Sequence, residues 1–154
     1  MIKENMKASG RLAIVVKDSN GAVKQEREVD NLVVGAGLDW ISGRMADTGG
    51  DHTIPTAMSH MAIGSGTTAA DADDTDIESI LGSREELDST TVTDNTVQYI
   101  SSFEAGDGTG AVTEAGIFNA ATGGTMLCRT VFSEVNKDAN DTMTITWTIT
   151  ISAS

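Results

Sequence analysis

A chain of 154 residues with 23 acidic and 10 basic side chains, a formal net charge of −13, is the length of one domain. Its charge sets it against nucleic acid, whose phosphates are bound through Lys and Arg. A single cysteine, Cys128, excludes an internal disulfide framework, and no apolar run approaches the roughly 18 residues that a membrane helix needs.

The N-terminal apolar run, residues 12–16, is too short for a secretory signal. The expectation is a soluble protein made in a cytoplasm, with no membrane or nucleic-acid partner. Charge is unevenly spread. Residues 45–128 hold 14 acidic side chains and one basic, Arg84, whereas residues 1–44 hold 6 acidic and 7 basic, and residues 129–154 hold 3 and 2. The excess in the middle predicts a solvated acidic face that keeps copies apart in wrong orientations.

In chain order, residues 11–16 and 23–34 are β-prone runs around DSNGA, where Asn20-Gly21 supplies the positive-φ pair of a tight hairpin turn. The second run is polar before Val29 and reads as an exposed edge arm. Leu38, Ile41 and Met45 then recur at helical spacing, which predicts one helix over residues 36–46. DTGGDHTIP is a loop. Residues 58–63 are strand-like, GSGTTAADADDTD is a polar loop, and residues 77–87 fit either a helical turn or the start of a strand.

From Leu87 onward strands and turns alternate. Strands are predicted at 89–93 and 96–103 around an Asp94-Asn95 turn, then at 112–118, 125–132 and 142–152, with glycine-rich EAGDGTGAV as a loop. The last strand is the most regular. Met143, Ile145, Trp147, Ile149 and Ile151 share one parity and Thr142, Thr144, Thr146, Thr148 and Thr150 the other, so one face is buried and the threonines face out. A slip of one residue would expose the whole apolar set, so the register is firmly specified. Eight short strands and one helix predict an all-β fold, a β-sandwich or jelly-roll-like domain. Residues 1–34 form an N-terminal hairpin, either part of the same domain or an oligomerisation arm, and residues 35–154 form the body.

The sequence is poor in catalytic groups. His52 lies in a glycine-rich loop beside Asp51 and His60 in a predicted strand; the neighbours Ser59 and His60 make no triad, because adjacent strand residues point to opposite faces. Asp71, Asp73, Asp74 and Asp76 resemble a calcium loop in composition. Aligned from Asp71, however, the loop has Asp76 where an EF-hand needs Gly and Gly82 where it needs Glu. A solvated acidic loop is the expected reading, and a looser cation site the alternative. The glycines at 106–110 come with no Lys and lead into a strand, so they are turn residues rather than a phosphate cradle. Carboxylate pairs such as Glu85 with Glu86, or Asp73 with Asp76, are available for hydrolysis of a glycan, but spatial separation decides that chemistry. The aromatic residues Trp40, Tyr99, Phe103, Phe118, Phe132 and Trp147 fall at predicted core positions rather than on a sugar-binding platform. Cys128, in an apolar run, is expected as a buried structural thiol. No catalytic residue, cofactor or metal ligand is assigned.

The segments NLVVGAGLDWISGRM, MSHMAIGSGTTAA, TTVTDNTVQYISSFEAGDGTGAVTEAGIFNAATGGTMLCRTVF and NKDANDTMTITWTITIS, in that order, resemble a family of tailed-bacteriophage accessory virion proteins, described as head-decoration or tail-fibre proteins. The segment at 71–88 is more acidic than that family's pattern. The resemblance implies a non-enzymatic virion protein made in the host bacterial cytoplasm. Its leading form is a capsid decoration, or cement, protein, a homotrimer bound to the major capsid protein or other virion proteins. The alternative it implies is a tail-fibre or baseplate module that binds a host-surface glycan or an adjoining fibre.

Overall fold

The computed structural model describes residues 4–46 and 52–153; residues 47–51 of the predicted DTGGDHTIP loop lie outside them. The elements are β1 (Met6–Lys17), β2 (Val23–Val33), α1 (Gly35–Met45), β3 (His60–Gly64), β4 (Glu85–Glu86), β5 (Ser89–Thr93), β6 (Thr96–Phe103), β7 (Gly110–Phe118), β8 (Met126–Lys137) and β9 (Thr142–Ala153). The strands form one curled antiparallel sheet in the order β4-β3-β7-β8-β2-β1-β9-β6-β5. The fold is all-β with one short helix, as the alternation predicts.

The curl has a definite corner. β2 meets β8 through only two pairs, Leu32 with Arg129 and Val33 with Cys128. Beyond them the two strands part, and side chains replace the ladder: Thr130 Oγ1 donates to the Asp30 carbonyl, Arg27 to the Glu134 carbonyl, and Lys24 Nζ to Asp138 and Asp141. The two halves of the sheet share one apolar core, with Met61, Ile63, Ile117 and Leu127 from one half and Leu12, Ile14, Ile145 and Trp147 from the other. Opposite the corner the free edges come together. Leu87 N–H bonds to the Ser59 carbonyl and Asp88 N–H to the Ile100 carbonyl, so the short segment around β4 joins β3 to β6.

β9 is the spine of this core. Its apolar residues stand in cross-strand rows with β1 on one side and β6 on the other: Leu12, Trp147, Tyr99; Ile14, Ile145, Ser101; Val16, Met143, Phe103. All nine are buried, and each row packs side chains about 5 Å apart on the pleat. Ser101, the one hydroxyl-only side chain among them, donates to the Glu86 carbonyl at 3.2 Å. The Trp147 indole N–H donates to Asn31 Oδ1 at 2.8 Å. Asn31 faces Gly10 across the β1–β2 ladder, and a Cβ at Gly10 would collide with the Asn31 carboxamide. The glycine makes room for the amide that satisfies the buried indole.

Several local details differ from the sequence reading. β1 runs twelve residues rather than six, because all of it pairs with β9. That places β1 inside the sheet, between β2 and β9. In its turn only Gly21 has positive φ; Asp18 Oδ1 accepts the Asn20 and Ala22 amides, and this side-chain cap replaces the two-residue turn that the Asn-Gly pair predicts. In the ambiguous stretch at 77–87 only Glu85 and Glu86 are strand. At the Asp94-Asn95 turn, Asp94 takes φ 51°. α1 packs on β8, and Gly37 permits it, since a Cβ there would strike the Leu127 carbonyl.

Gly10→Ala is expected to cost about 1–3 kcal/mol by overpacking against Asn31. The loss should appear as a lower urea midpoint at unchanged m-value; an unchanged midpoint would mean that the carboxamide swings aside without penalty.

Candidate functional site

Residues 65–84 connect β3 to β4 and contain no strand among themselves apart from an isolated bridge between Gly64 and Ile80. A connection of this length inside a compact domain needs something to hold it. That anchor is Glu114 on β7, fully buried, with Arg129 on β8, 2 % exposed. Glu114 Oε1 accepts the Gly66 and Ser79 amides at 2.9 and 2.7 Å. Its Oε2 accepts the Glu78 amide at 2.9 Å and Arg129 Nε and Nη2 at 3.0 and 2.9 Å. Arg129 reaches outward with Nη1 to Asp74 Oδ2 at 2.8 Å and with Nη2 to the Thr68 carbonyl at 3.0 Å. Burial draws the guanidinium pKa down, and the bonds to Asp74 and Glu114 more than reverse this, leaving it raised. Gly66 is required at its position, because a Cβ there would meet the Glu114 carboxylate and the Glu78 side chain.

A second arginine fixes the far end. Arg84 lies 3.5 Å over the Phe118 ring, and its Nη1 donates to the Ala120 and Gly123 carbonyls. Its Nη2 reaches Asp76 Oδ1 at 3.3 Å. The four aspartates are thereby placed: Asp74 and Asp76 accept from arginines, while Asp71 Oδ1 accepts the Asp73 amide and Asp74 Oδ2 the Asp71 amide. Their oxygens close turns and ion pairs, and among the described residues no group of three or more acidic, His or Cys side chains could hold a metal ion.

The other candidates are scattered. His52 bonds to the Gly43 carbonyl. Ser59 Oγ and His60 Nδ1 lie 2.8 Å apart, contrary to the expectation that alternation separates them; Ser59 precedes the first residue of β3, so the strand period does not govern it. No carboxylate among the described residues bonds to His60 to make a third member. Glu85 and Glu86 are consecutive on β4. Cys128 is buried, and burial raises its thiol well above the ordinary value, which keeps it protonated and inert. No helix among the described residues is long and apolar enough to cross a membrane.

Two features remain that present chemistry outward. One is the threonine face of β9: Thr144, Thr146, Thr148 and Thr150 pair with Val15, Ala13, Arg11 and Ser9 of β1 and with Ser102, Ile100, Gln98 and Thr96 of β6. The elements in extensive contact with β9 are its two sheet neighbours, and these threonines stay part-exposed. An open groove of about 880 Å³ follows this part of the sheet, lined among others by Arg11, Ala13, Glu28, Asp30, Thr146 and Thr148. Arg11 and Glu28 pair across it at 2.6 Å, both largely exposed. The second feature is β5, whose five residues are all exposed at the end of the sheet order, with Val92 70 % exposed. Its short, threonine-rich edge is one way of limiting unwanted strand addition.

Glu114 and Arg129 were not singled out from sequence. The available signal was that each is the lone charge in an apolar strand, VTEAGIF and LCRTVF. Two such residues of opposite sign on neighbouring strands are natural partners, and the ladder sets Arg129 beside Gly116, two residues from Glu114.

Glu114→Gln should destabilise the chain by about 3–5 kcal/mol, since it leaves Arg129 buried without its main counter-charge; loss in protease resistance of residues 65–84 should accompany the lower denaturation midpoint. A pH series provides a second check. Bonds from the Thr68 amide and hydroxyl lower the Glu78 pKa, and the Lys24 ammonium, with the Asp138 amide, lowers that of Asp141. A carboxyl depressed in the folded state contributes stability above its unfolded pKa, near 4, and loses it as pH falls through the folded value. Urea midpoints should therefore drop below about pH 4, and Glu78→Gln should flatten that drop.

Comparison of the chain with models of known protein families, with curated proteins and with solved structures gives no match.

Proposed function

We propose that this protein is a non-enzymatic structural component of a bacteriophage virion, a decoration subunit that binds the assembled head as a homo-oligomer and stabilises it. The observation that carries the reading is the part-exposed threonine face of β9, set in the middle of a strongly specified sheet half and, among the described residues, covered by no extensively packed element. Threonine loses little side-chain entropy on docking and offers both a methyl and a hydroxyl to a partner. The order of sequence segments that resembles accessory virion proteins supports the same class. The acidic connection at 65–84, fastened inward through Arg129 and Arg84, supplies a negative surface.

The mechanism is linkage. A subunit that binds only the assembled shell stabilises it by about 2.7 kcal/mol per site when free subunit stands at 100 times its dissociation constant. Three copies around a local symmetry axis repeat one head-to-tail interface three times, and the ring closes when each step turns by a third of a circle.

Purified protein added to undecorated heads should raise their disruption temperature, and a Thr146→Glu, Thr148→Glu double variant should fold normally yet neither bind nor protect. Saturating binding with no thermal shift would argue against cementing. Density for the protein at the tail tip in images of intact virions, with binding to host glycan, would assign it to a fibre or baseplate instead.

A further inference from the structure

Part of β1 is uncovered on one side. Its ladder with β2 begins at Gly10, opposite Asn31, and β2 turns away at Leu32 to pair with β8, so residues 6–9 pair with β9 alone. Backbone groups along a strand point alternately to its two sides. Val34 N–H reaches the Leu127 carbonyl on β8, so Asn31, three residues earlier, turns its groups toward Gly10. Two and four residues before Gly10, the N–H and C=O of Ala8 and Met6 then face the side that β2 has left. The side chains around this open edge are distinctive. Met6, Leu32 and Leu38, 64, 37 and 48 % exposed, line the groove beside it, as does Asn31. Asn31 Nδ2 is the one side-chain polar atom among the described residues that is buried with no hydrogen-bond partner. Its carboxamide is held over Gly10, with Oδ1 taken by the Trp147 indole. A buried donor normally finds an acceptor. Lys7, the one charged side chain of residues 6–9, is exposed and takes part in none of the ion pairs among the described residues.

We propose that this open edge binds an extended segment of another protein chain, added antiparallel as a further strand where β2 departs. The occupant follows from the edge. Extended backbone presents N–H and C=O at the spacing that Ala8 and Met6 require, and in strand addition these bonds give affinity while alternate side chains give specificity. Residues directly opposite in an antiparallel ladder share a face, and Met6 and Ala8 lie on the same parity as the core residues Leu12 and Ile14. The two guest residues that bond to Ala8 and Met6 therefore face inward. The first stands two places beyond Asn31 on the same face, where a hydroxyl supplies the acceptor for Nδ2; the second stands beside Met6 and is apolar. The residue between them faces outward beside Lys7 and is acidic. The inference goes beyond the decoration reading and does not rest on it, since such an edge takes the segment whatever particle presents it.

The test titrates the full chain with the peptide acetyl-Thr-Glu-Val-Thr-Val-amide. Nuclear magnetic resonance follows the backbone amides of Met6 and Ala8 and the indole N–H of Trp147, which feels Asn31 through the bond between them. All three signals should shift saturably. A methyl on the backbone nitrogen of the third peptide residue, which points at β1, should abolish binding, and one on the second, which points away, should be tolerated. That comparison leaves the protein itself unaltered. Lys7→Glu, a change at an exposed side chain, should weaken this peptide about three- to tenfold, the size of an exposed ion pair lost and reversed, and should favour a peptide with Lys in place of its Glu. Signals that do not saturate, equal loss from the two methylated peptides, or an unchanged preference between the acidic and basic peptides in Lys7→Glu would each overturn the proposal. So would self-association of the chain abolished by Ala8→Pro, which would give this edge to a second copy.

Discussion

The buried pair of Glu114 and Arg129 governs more of this structure than any other polar contact. Five donors converge on one carboxylate, three of them amides of the same long connection. Each amide bond fixes a point of a chain that has no ladder of its own, and Arg129 adds two more through Asp74 and Thr68. Buried ion pairs often add little net stability compared with an apolar replacement. Here an apolar replacement would release the amides of Gly66, Glu78 and Ser79 and leave the connection at 65–84 held chiefly at its far end by Arg84, so the pair acts on conformation. The glycines of AIGSG fit the same logic, because Gly64 and Gly66 let backbone approach the carboxylate where a Cβ would clash.

Around that anchor the two halves of the sheet are held in different ways. The half centred on β9 relies on cross-strand apolar rows, with twelve residue pairs joining β1 to β9 and eight joining β6 to β9. At the corner, where β2 and β8 part, ladder bonds give way to side chains from Lys24, Arg27 and Thr130. Lys137 shows the cost of that geometry. It is 1 % exposed, bonded to the Glu104 carbonyl at 2.8 Å, and its pKa is lowered by desolvation against the pull of Asp107, Asp141 and Glu104. The surrounding carboxylates are what allow an ammonium to be buried there.

The division between inward and outward chemistry bears on function. Many of the acidic side chains that give the chain its charge close turns or pair with arginine, and among the described residues no group of three or more could hold a metal ion. Among the described residues the threonine face of β9 and the short edge β5 are turned outward, and it is the first of these on which the proposed decoration role rests.

The amino-acid sequence by itself determined the strand identities, because period-two alternation is a local property: β5, the Asp94-Asn95 turn, β6 and β9 fall within a residue or two of where the pattern puts them, and the threonine and apolar parities of β9 separate as written. It also determined α1, from Leu38, Ile41 and Met45, and the burial of Cys128. Tertiary structure alone decided the rest. The length of β1 depends on β9, more than 120 residues away in the chain. The structure of residues 65–84 depends on two charges from β7 and β8, and a lone Glu in VTEAGIF reveals a need for a partner without naming it. The same holds for Gly10, whose missing side chain has meaning only once Asn31 and Trp147 stand against it. Local pattern fixes which way a side chain faces; what it meets there is set by contacts between segments that the chain brings together only on folding.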